Sequence, residues 1–343
     1  MRKLLNTLFV TQANMYLSLD GHNVVLLKED ETIGRLPLHN IESIVTFGYT
    51  GASPALMGYC ARENISIVFL TRTGRYLARV IGKSRGNVLL RKKQYRISDS
   101  EVESAFIAKN FLLGKVYNNK WLIERVTRDH SLRIDLNKFK EVSNLLSDIL
   151  LEIRNCTNLE SLRGWEGQAA FSYYSIFNDM ILQQEDDFDF NGRTRRPPLD
   201  RVNAMLSFGY TLLANDTAAA LESVGLDAYV GFLHRDRPGR VSLALDIMEE
   251  LRGVYVDRFV LSLINRRIIN KNHFEIKENK AVLLNEEGRK LFLELWHNKK
   301  QEKITHPFLK ERISWGLVPY AQSILLARFL RGDLEEYPPF FWK

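Results

Sequence analysis

The sequence predicts an α+β protein, with a small N-terminal domain of β-strands at residues 1–95 followed by a larger, mainly α-helical domain at 96–343. Three observations carry this. Residues 3–50 alternate apolar and polar positions through LFVTQ, MYLSL, NVVLL and SIVTF, the period of two that puts one face of a strand on a core. From Asp99 onward the apolar residues recur three and four apart, the spacing of a helix stripe. The length of 343 residues exceeds what one hydrophobic core usually organises, so two domains are expected.

Within the first domain, Asp20-Gly21 and Pro37 mark turns, because these residues favour the backbone conformations of tight reversals. PALMGYCARE at 54–63 reads as a short helix, and ISIVFL and YLARVI return as strands joined through Arg72-Thr73-Gly74. The second domain opens with AFIAKNFLLGKVYNNKWLIERV and LNKFKEVSNLLSDILLEIRNC. Further helices are predicted at 167–183, 201–225, 243–269, 286–297 and 313–331, with a hairpin at 273–285. QQEDDFDF at 183–190 and the following NGRTRRPPLD are polar, proline-bearing and aperiodic, which predicts an exposed, mobile loop.

Composition narrows the function classes. Apolar residues at 45% and charged residues at 26% are those of a globular protein with real cores. The two cysteines, Cys60 and Cys156, form no C-x-x-C pair, so a zinc ribbon or disulfide framework is excluded and a reducing cytoplasm is expected. The early apolar run is broken by Asn6, Thr7, Thr11, Gln12 and Asn14, which reads as a first strand rather than a signal peptide. No run of eighteen apolar residues occurs, so no membrane span is expected. Net charge is +7, and Arg72, Arg75, Arg79, Lys83, Arg85, Arg91, Lys92, Lys93 and Arg96 follow one another without an acidic residue. That stretch is either a solvated strand pair and helix start or a surface that faces a polyanion.

Three places in the helical domain carry candidate chemistry. Glu166 stands in GWEGQAA at the head of the predicted helix FSYYSIF. Small neighbours would let other chain segments approach its carboxylate, although a glutamate there would also favour the helix dipole. His234 ends the apolar stretch GFLH and opens a loop with Arg235, Arg237 and Arg240, a setting for an anionic ligand, although a lone histidine is often only a hydrogen-bonded polar group. Asp246 and Glu249 in LALDIMEELR stand three apart, on one helix face. Like charges so placed need a cation, an arginine or a proton; Arg252 or Arg258 could supply it, and so could a divalent metal. Carboxylates with one imidazole and no thiolate suit Mg2+ or Mn2+, ions that accompany phosphoryl chemistry.

The order G-W-E-G, R-V-N-A-M-L-S-F-G-Y-T-L-L at 201–213, G-F-L-H and L-A-L-D-I-M-E-E-L-R resembles the CRISPR-associated adaptation integrase, the metal-dependent nuclease subunit of spacer acquisition. The likeness extends to the strand domain, the basic strand pair and the late F-E-I-K…V-L-L-N-E-E-G-R-K-L-F element. It implies a Mg2+ or Mn2+ site on Glu166, His234 and an acidic residue twelve or fifteen positions after the histidine. Glu249 is favoured as the direct ligand and Asp246 as a second ligand or a group supporting the ligands. The family often has aspartate at the later position, where this chain has glutamate. The resemblance further implies that a DNA 3′-hydroxyl attacks a phosphate at a CRISPR repeat, with Arg235, Arg237 and Arg240 stabilising charge on phosphorus. It also implies double-stranded DNA partners, a homodimer paired through the β domains, and a small ferredoxin-like subunit completing a heterohexamer. No nucleotide is needed, since one phosphodiester replaces another, and no G-x-x-x-x-G-K-[ST] loop is present. A general nuclease of branched DNA and a non-catalytic DNA-binding scaffold are the competing readings.

Overall fold

The computed structural model describes residues 7–342 apart from 13, 42, 50, 64, 72–75, 81 and 83–87. The chain divides into two compact units rather than at a single point near residue 95. The first takes residues 1–86 together with 285–304 and 313–317, and the second takes 87–284, 305–312 and 318–343.

The first unit contains β1 (Thr7–Val10), β2 (Tyr16–Asp20), β3 (Asn23–Lys28), β4 (Glu31–Pro37), β5 (Ser43–Phe47), α1 (Pro54–Glu63), β6 (Ser66–Leu70) and β7 (Tyr76–Val80). β2, β3 and β4 form an antiparallel meander, with the Asp20↔Asn23 pair closing the turn where Gly21 takes φ +58°, a left-handed conformation that glycine adopts without penalty. β1, β5, β6 and β7 form a second sheet in which β1–β5 and β5–β6 run parallel. The predicted helix is therefore the crossover of a β5–α1–β6 unit, which a parallel pair requires. Leu17, Val24, Leu38, Ile44, Leu56, Cys60 and Ile67 are packed in one core cluster. Burial pushes the Cys60 thiol up to about 12, so it is an inert core group.

The second unit is helical, with α2 (Val88–Ser98), α3 (Glu101–Asp129), α4 (Leu136–Asn155), α5 (Leu159–Ser175), α6 (Arg201–Ser223), α7 (Ser242–Glu249) and α8 (Arg258–Asn265), followed by the hairpin of β8 (Phe274–Ile276) and β9 (Val282–Leu284). α9 (Glu286–Gln301) belongs to the first unit, and α10 (Val318–Arg331) to the second. Polar side chains set the helix starts: Ser100 accepts from Glu103 N, Asp135 from Asn137 N and Lys138 N, and Asp200 from Asn203 N. Phe111, Leu221, Phe232, Ile247 and Leu326 belong to its core cluster.

Four sequence expectations are corrected here. α5 begins at Leu159 rather than at 167, because Asn158 caps it by accepting Ser161 N–H at 2.9 Å. Glu166 is thus in mid-helix, where it gains nothing from a helix N-terminus. The predicted helix 243–269 is interrupted after α7 by a π-helical segment, Arg252–Asp257, a distortion common beside functional residues. The predicted start at 313 falls in strand Arg312–Ser314 and a 3₁₀ turn Trp315–Leu317 ahead of α10. Finally, the 183–200 segment is anchored rather than freely exposed: Phe188 and Phe190 are buried, and Arg193 donates to Asn203 Oδ1 at 2.5 Å and Ser207 Oγ at 3.1 Å. Among the described residues no helix is long and apolar enough to cross a membrane.

Candidate metal centre

α7 carries the centre of the site. Asp246 is fully buried, and its Oδ2 accepts the N–H groups of Phe232 at 2.6 Å and Leu233 at 3.0 Å, while Oδ1 accepts His234 N at 3.0 Å. Three successive amides thus wrap one carboxylate. Gly231 precedes them because an added Cβ there would stand 2.8 Å from Asp246 Oδ2. The same Oδ1 lies 2.6 Å from His234 Nδ1. A carboxylate with no proton can only accept, so Nδ1 carries the hydrogen, and in the neutral ring it is Nε2 that has a lone pair for a ligand.

One turn along α7, Glu249 is 4% exposed. Its Oε1 is 3.0 Å from Arg252 Nε and 3.9 Å from His234 Nε2, and its Oε2 is 2.8 Å from Lys115 Nζ. The Lys115 ammonium holds Oε2 chiefly by charge, its approach lying off the direction of a well-formed hydrogen bond. Burial pushes this carboxyl up, but Arg252, Lys115 and His234 outweigh burial and hold it at about 2. Glu166 reaches the site from α5 and pairs through Oε1 with the same Lys115 ammonium. Burial would lower Lys115, yet Glu249 and Glu166 raise it above the ordinary lysine value, so it is a full cation.

Glu166 and Glu249 therefore converge on one buried positive charge, and His234 turns Nε2 towards Glu249. Among the described residues no three His, Cys, Asp or Glu side chains stand together as a ready metal cage, since the Lys115 ammonium occupies the point between the two carboxylates. The donors fit a hard divalent ion: two carboxylates, one of them with a buried oxygen lacking a directional partner, and one imidazole nitrogen with a free lone pair. Asp246 does not fit as a ligand, because both its oxygens are committed to amides and the imidazole.

Sequence reasoning missed Lys115. The signal for it was a lysine inside the apolar run FLLGKVY, since a lysine at a core-facing helical position is almost never buried without a partner. It also missed the support behind Arg252, whose guanidinium lies 4.7 Å from the centre of the Tyr210 ring. Tyr210 and Tyr173 both donate to Asp257 at the end of the π segment, and burial pushes that carboxyl up to about 6.

The three loop arginines separate. Arg235 is 67% exposed and pairs with Glu160, which also holds Arg163. Arg240 is lowered by burial and by Arg237, and it feels the charges of Asp246 and Glu249, so it is within electrostatic reach of the site. Of the basic run, Arg72, Arg75, Lys83 and Arg85 lie outside the described residues, whereas Lys92, Lys93 and Arg96 are carried, all exposed, on α2 beside the buried Gln94 and Ile97.

Known proteins resemble this chain over most or all of its length. The family described as CRISPR associated protein Cas1 matches residues 8–298. A CRISPR-associated endonuclease Cas1 from Rhodospirillum rubrum is 49% identical over 347 residues, covering 100% of both chains. Among solved structures, a casposase bound to integration product superposes with a TM-score of 0.84 at 23% identity, covering 98% of this chain and 93% of that one. A Cas6-RT-Cas1–Cas2 complex gives 0.82 at 23% identity, covering 98% of this chain and 36% of that one. At these identities the two structures speak for the fold.

Proposed function

Because the chain belongs to the CRISPR associated protein Cas1 family, we propose that it is a metal-dependent DNA endonuclease and integrase of CRISPR spacer acquisition, with Glu166, His234 and Glu249 holding Mg2+ or Mn2+. The observation that carries this is the convergence of Glu166 and Glu249 on one cation position, with His234 Nε2 presented beside it. When bound, the metal polarises the attacked phosphate and favours the deprotonated nucleophile.

This chain's own residues do the rest. Asp246 fixes the His234 tautomer and aims Nε2. Arg252 keeps Glu249 ionised, so the ligand oxygens are charged before any ion arrives. Arg240 supplies positive charge for the phosphorane-like transition state. The captured DNA's 3′-hydroxyl attacks the repeat phosphate, the O3′–P bond of the repeat strand breaks as the new O3′–P bond forms, the proton leaves the nucleophile for solvent, and the departing 3′-oxygen takes a proton from solvent to end as a hydroxyl. Water in place of that hydroxyl gives cleavage. The partners are double-stranded DNA, a second copy of the chain and a small Cas2-type subunit in a heterohexamer; what supports the Cas2-type partner is the Cas6-RT-Cas1–Cas2 complex to which the fold is similar.

The experiment is strand joining on a repeat-bearing duplex with the partner subunit present and Mn2+ added. Glu166→Ala and His234→Ala should each abolish joining and cleavage, and full activity in either would remove the site. Cleavage of branched DNA without joining at a repeat would instead favour a general nuclease.

A further inference from the structure

Residues 337–342 run back into the helical unit and tie together the two elements that carry Glu249 and Lys115. Asn118, one turn after Lys115 on α3, donates from Nδ2 to the carbonyls of Glu250 and Phe340, each at 2.7 Å, and its Oδ1 accepts Trp342 N–H at 2.8 Å. Glu250, the neighbour of Glu249, accepts Phe340 N–H and Gln322 Nε2–H on Oε2, and Tyr337 O–H at 2.6 Å on Oε1. Asn118 and Glu250 are both fully buried. The centre of the Trp342 ring is 5.6 Å from the guanidinium of Arg125 on α3 and 4.8 Å from that of Arg258 on α8.

Little else separates these elements. A Cβ added at Gly114 of α3 would stand 2.9 Å from Glu250 Cγ, and one at Gly253 would strike Asn119. The backbones approach with no side-chain spacer, and two of the groups that span the gap, Asn118 and Glu250, divide their hydrogen bonds between the tail and, respectively, the Glu250 carbonyl and Gln322. A buried polar group that loses its partner drives the surrounding chain to rearrange.

We propose that residues 337–342 form a positioning element of the metal centre, a clip that locks α3 to the end of α7 and so fixes Glu249 against Lys115 and Glu166. The inference rests on the reading of Glu249 as a ligand. The alternative is a tail that adds stability to the whole unit and leaves the site unaltered when it is weakened.

The test compares the full chain with a deletion of residues 338–343 and with Trp342→Ala. Mn2+ affinity is read by electron paramagnetic resonance, and amide exchange is followed in the metal-free protein. The deletion should weaken Mn2+ binding by about tenfold or more, the size of effect that groups supporting a ligand produce. It should also speed exchange at the Leu251 amide, which donates to Met248 O at 3.0 Å, and a synthetic peptide of residues 338–343 should restore both. Wild-type affinity and wild-type Leu251 exchange in a folded deletion would overturn the clip. Should the deletion not fold, Trp342→Ala decides: faster exchange at the Phe340 amide with unchanged Mn2+ affinity and unchanged Leu251 exchange overturns it equally. If Glu249→Ala binds Mn2+ as the wild type does, the ligand assignment fails, and Leu251 exchange alone then judges the clip.

Discussion

Asp246 accepts both the main-chain N–H of His234 at 3.0 Å and the ring Nδ1 hydrogen at 2.6 Å, so one carboxylate fixes the backbone and the imidazole of a single residue. Replacing it with asparagine keeps the shape but turns an amide –NH2 towards a ring of donors. Asp246→Asn should cost about 2–4 kcal/mol of stability, as expected for buried donors left without acceptors. Mn2+ affinity should fall by about 10–100-fold as the imidazole loses its fixed tautomer. Thermal unfolding and a Mn2+ titration check this; unchanged affinity would mean that His234 does not depend on Asp246 for its aim.

Lys115 neutralises the buried carboxylate of Glu249 and the half-buried one of Glu166, which would otherwise repel each other. Lys115→Met should therefore destabilise the metal-free protein by about 3–5 kcal/mol, the usual cost of breaking a buried ion pair from one side. Added Mn2+ should replace the missing charge and raise the melting temperature of the variant more than that of the wild type. Equal shifts in the two proteins would show that metal and ammonium do not share a position.

Glu250 gives the pH dependence. Burial, against the hydrogen bonds from Tyr337, Phe340 and Gln322, pushes its carboxyl from 4.5 up to about 8. A raised carboxyl means that the folded state holds a proton the unfolded chain has released. Its contribution is therefore complete below pH 4.5 and is lost as pH rises through about 8, at up to ~1.4 kcal/mol per pH unit. Asp257, raised to about 6, acts in the same direction but is exhausted by that pH. Between pH 6 and 8 the melting temperature should fall for the wild type and fall less for Glu250→Gln, a neutral isostere. Parallel curves would mean that Glu250 is ionised in the folded protein.

The helix and strand periods were legible in the sequence because they depend on local spacing, whereas Glu166, His234 and Glu249 stood out as a set only through the order of motifs that resembles the family. What local spacing cannot carry was lost. The start of α5 turns on one capping side chain, Asn158, while the glycines at 164 and 167 suggest a break that the helix tolerates. The π segment at Arg252–Asp257 has helical periodicity in sequence and differs only in its hydrogen bonding. Lys115 is 51 residues from Glu166, so its pairing exists only once α3 and α5 are packed. The parallel β1–β5–β6 order is likewise invisible to a period of two, which parallel and antiparallel strands share.

The basic face of α2 offers a prediction independent of the metal. Lys92, Lys93 and Arg96 stand on one helix, and if they lie along DNA each phosphate they neutralise releases counterions. Substituting all three with glutamine should weaken duplex binding and flatten the slope of log affinity against log salt by about 0.9 for each phosphate that is no longer neutralised. Arg240→Gln should behave differently. Its charge is near Asp246 and Glu249, so it should reduce the rate of joining at saturating DNA while leaving the salt slope close to that of the wild type. Binding measured across a salt series, beside single-turnover joining, separates the two roles. A slope unchanged by the triple substitution would return α2 to an ordinary solvated face, and a rate unchanged by Arg240→Gln would remove that arginine from the reaction.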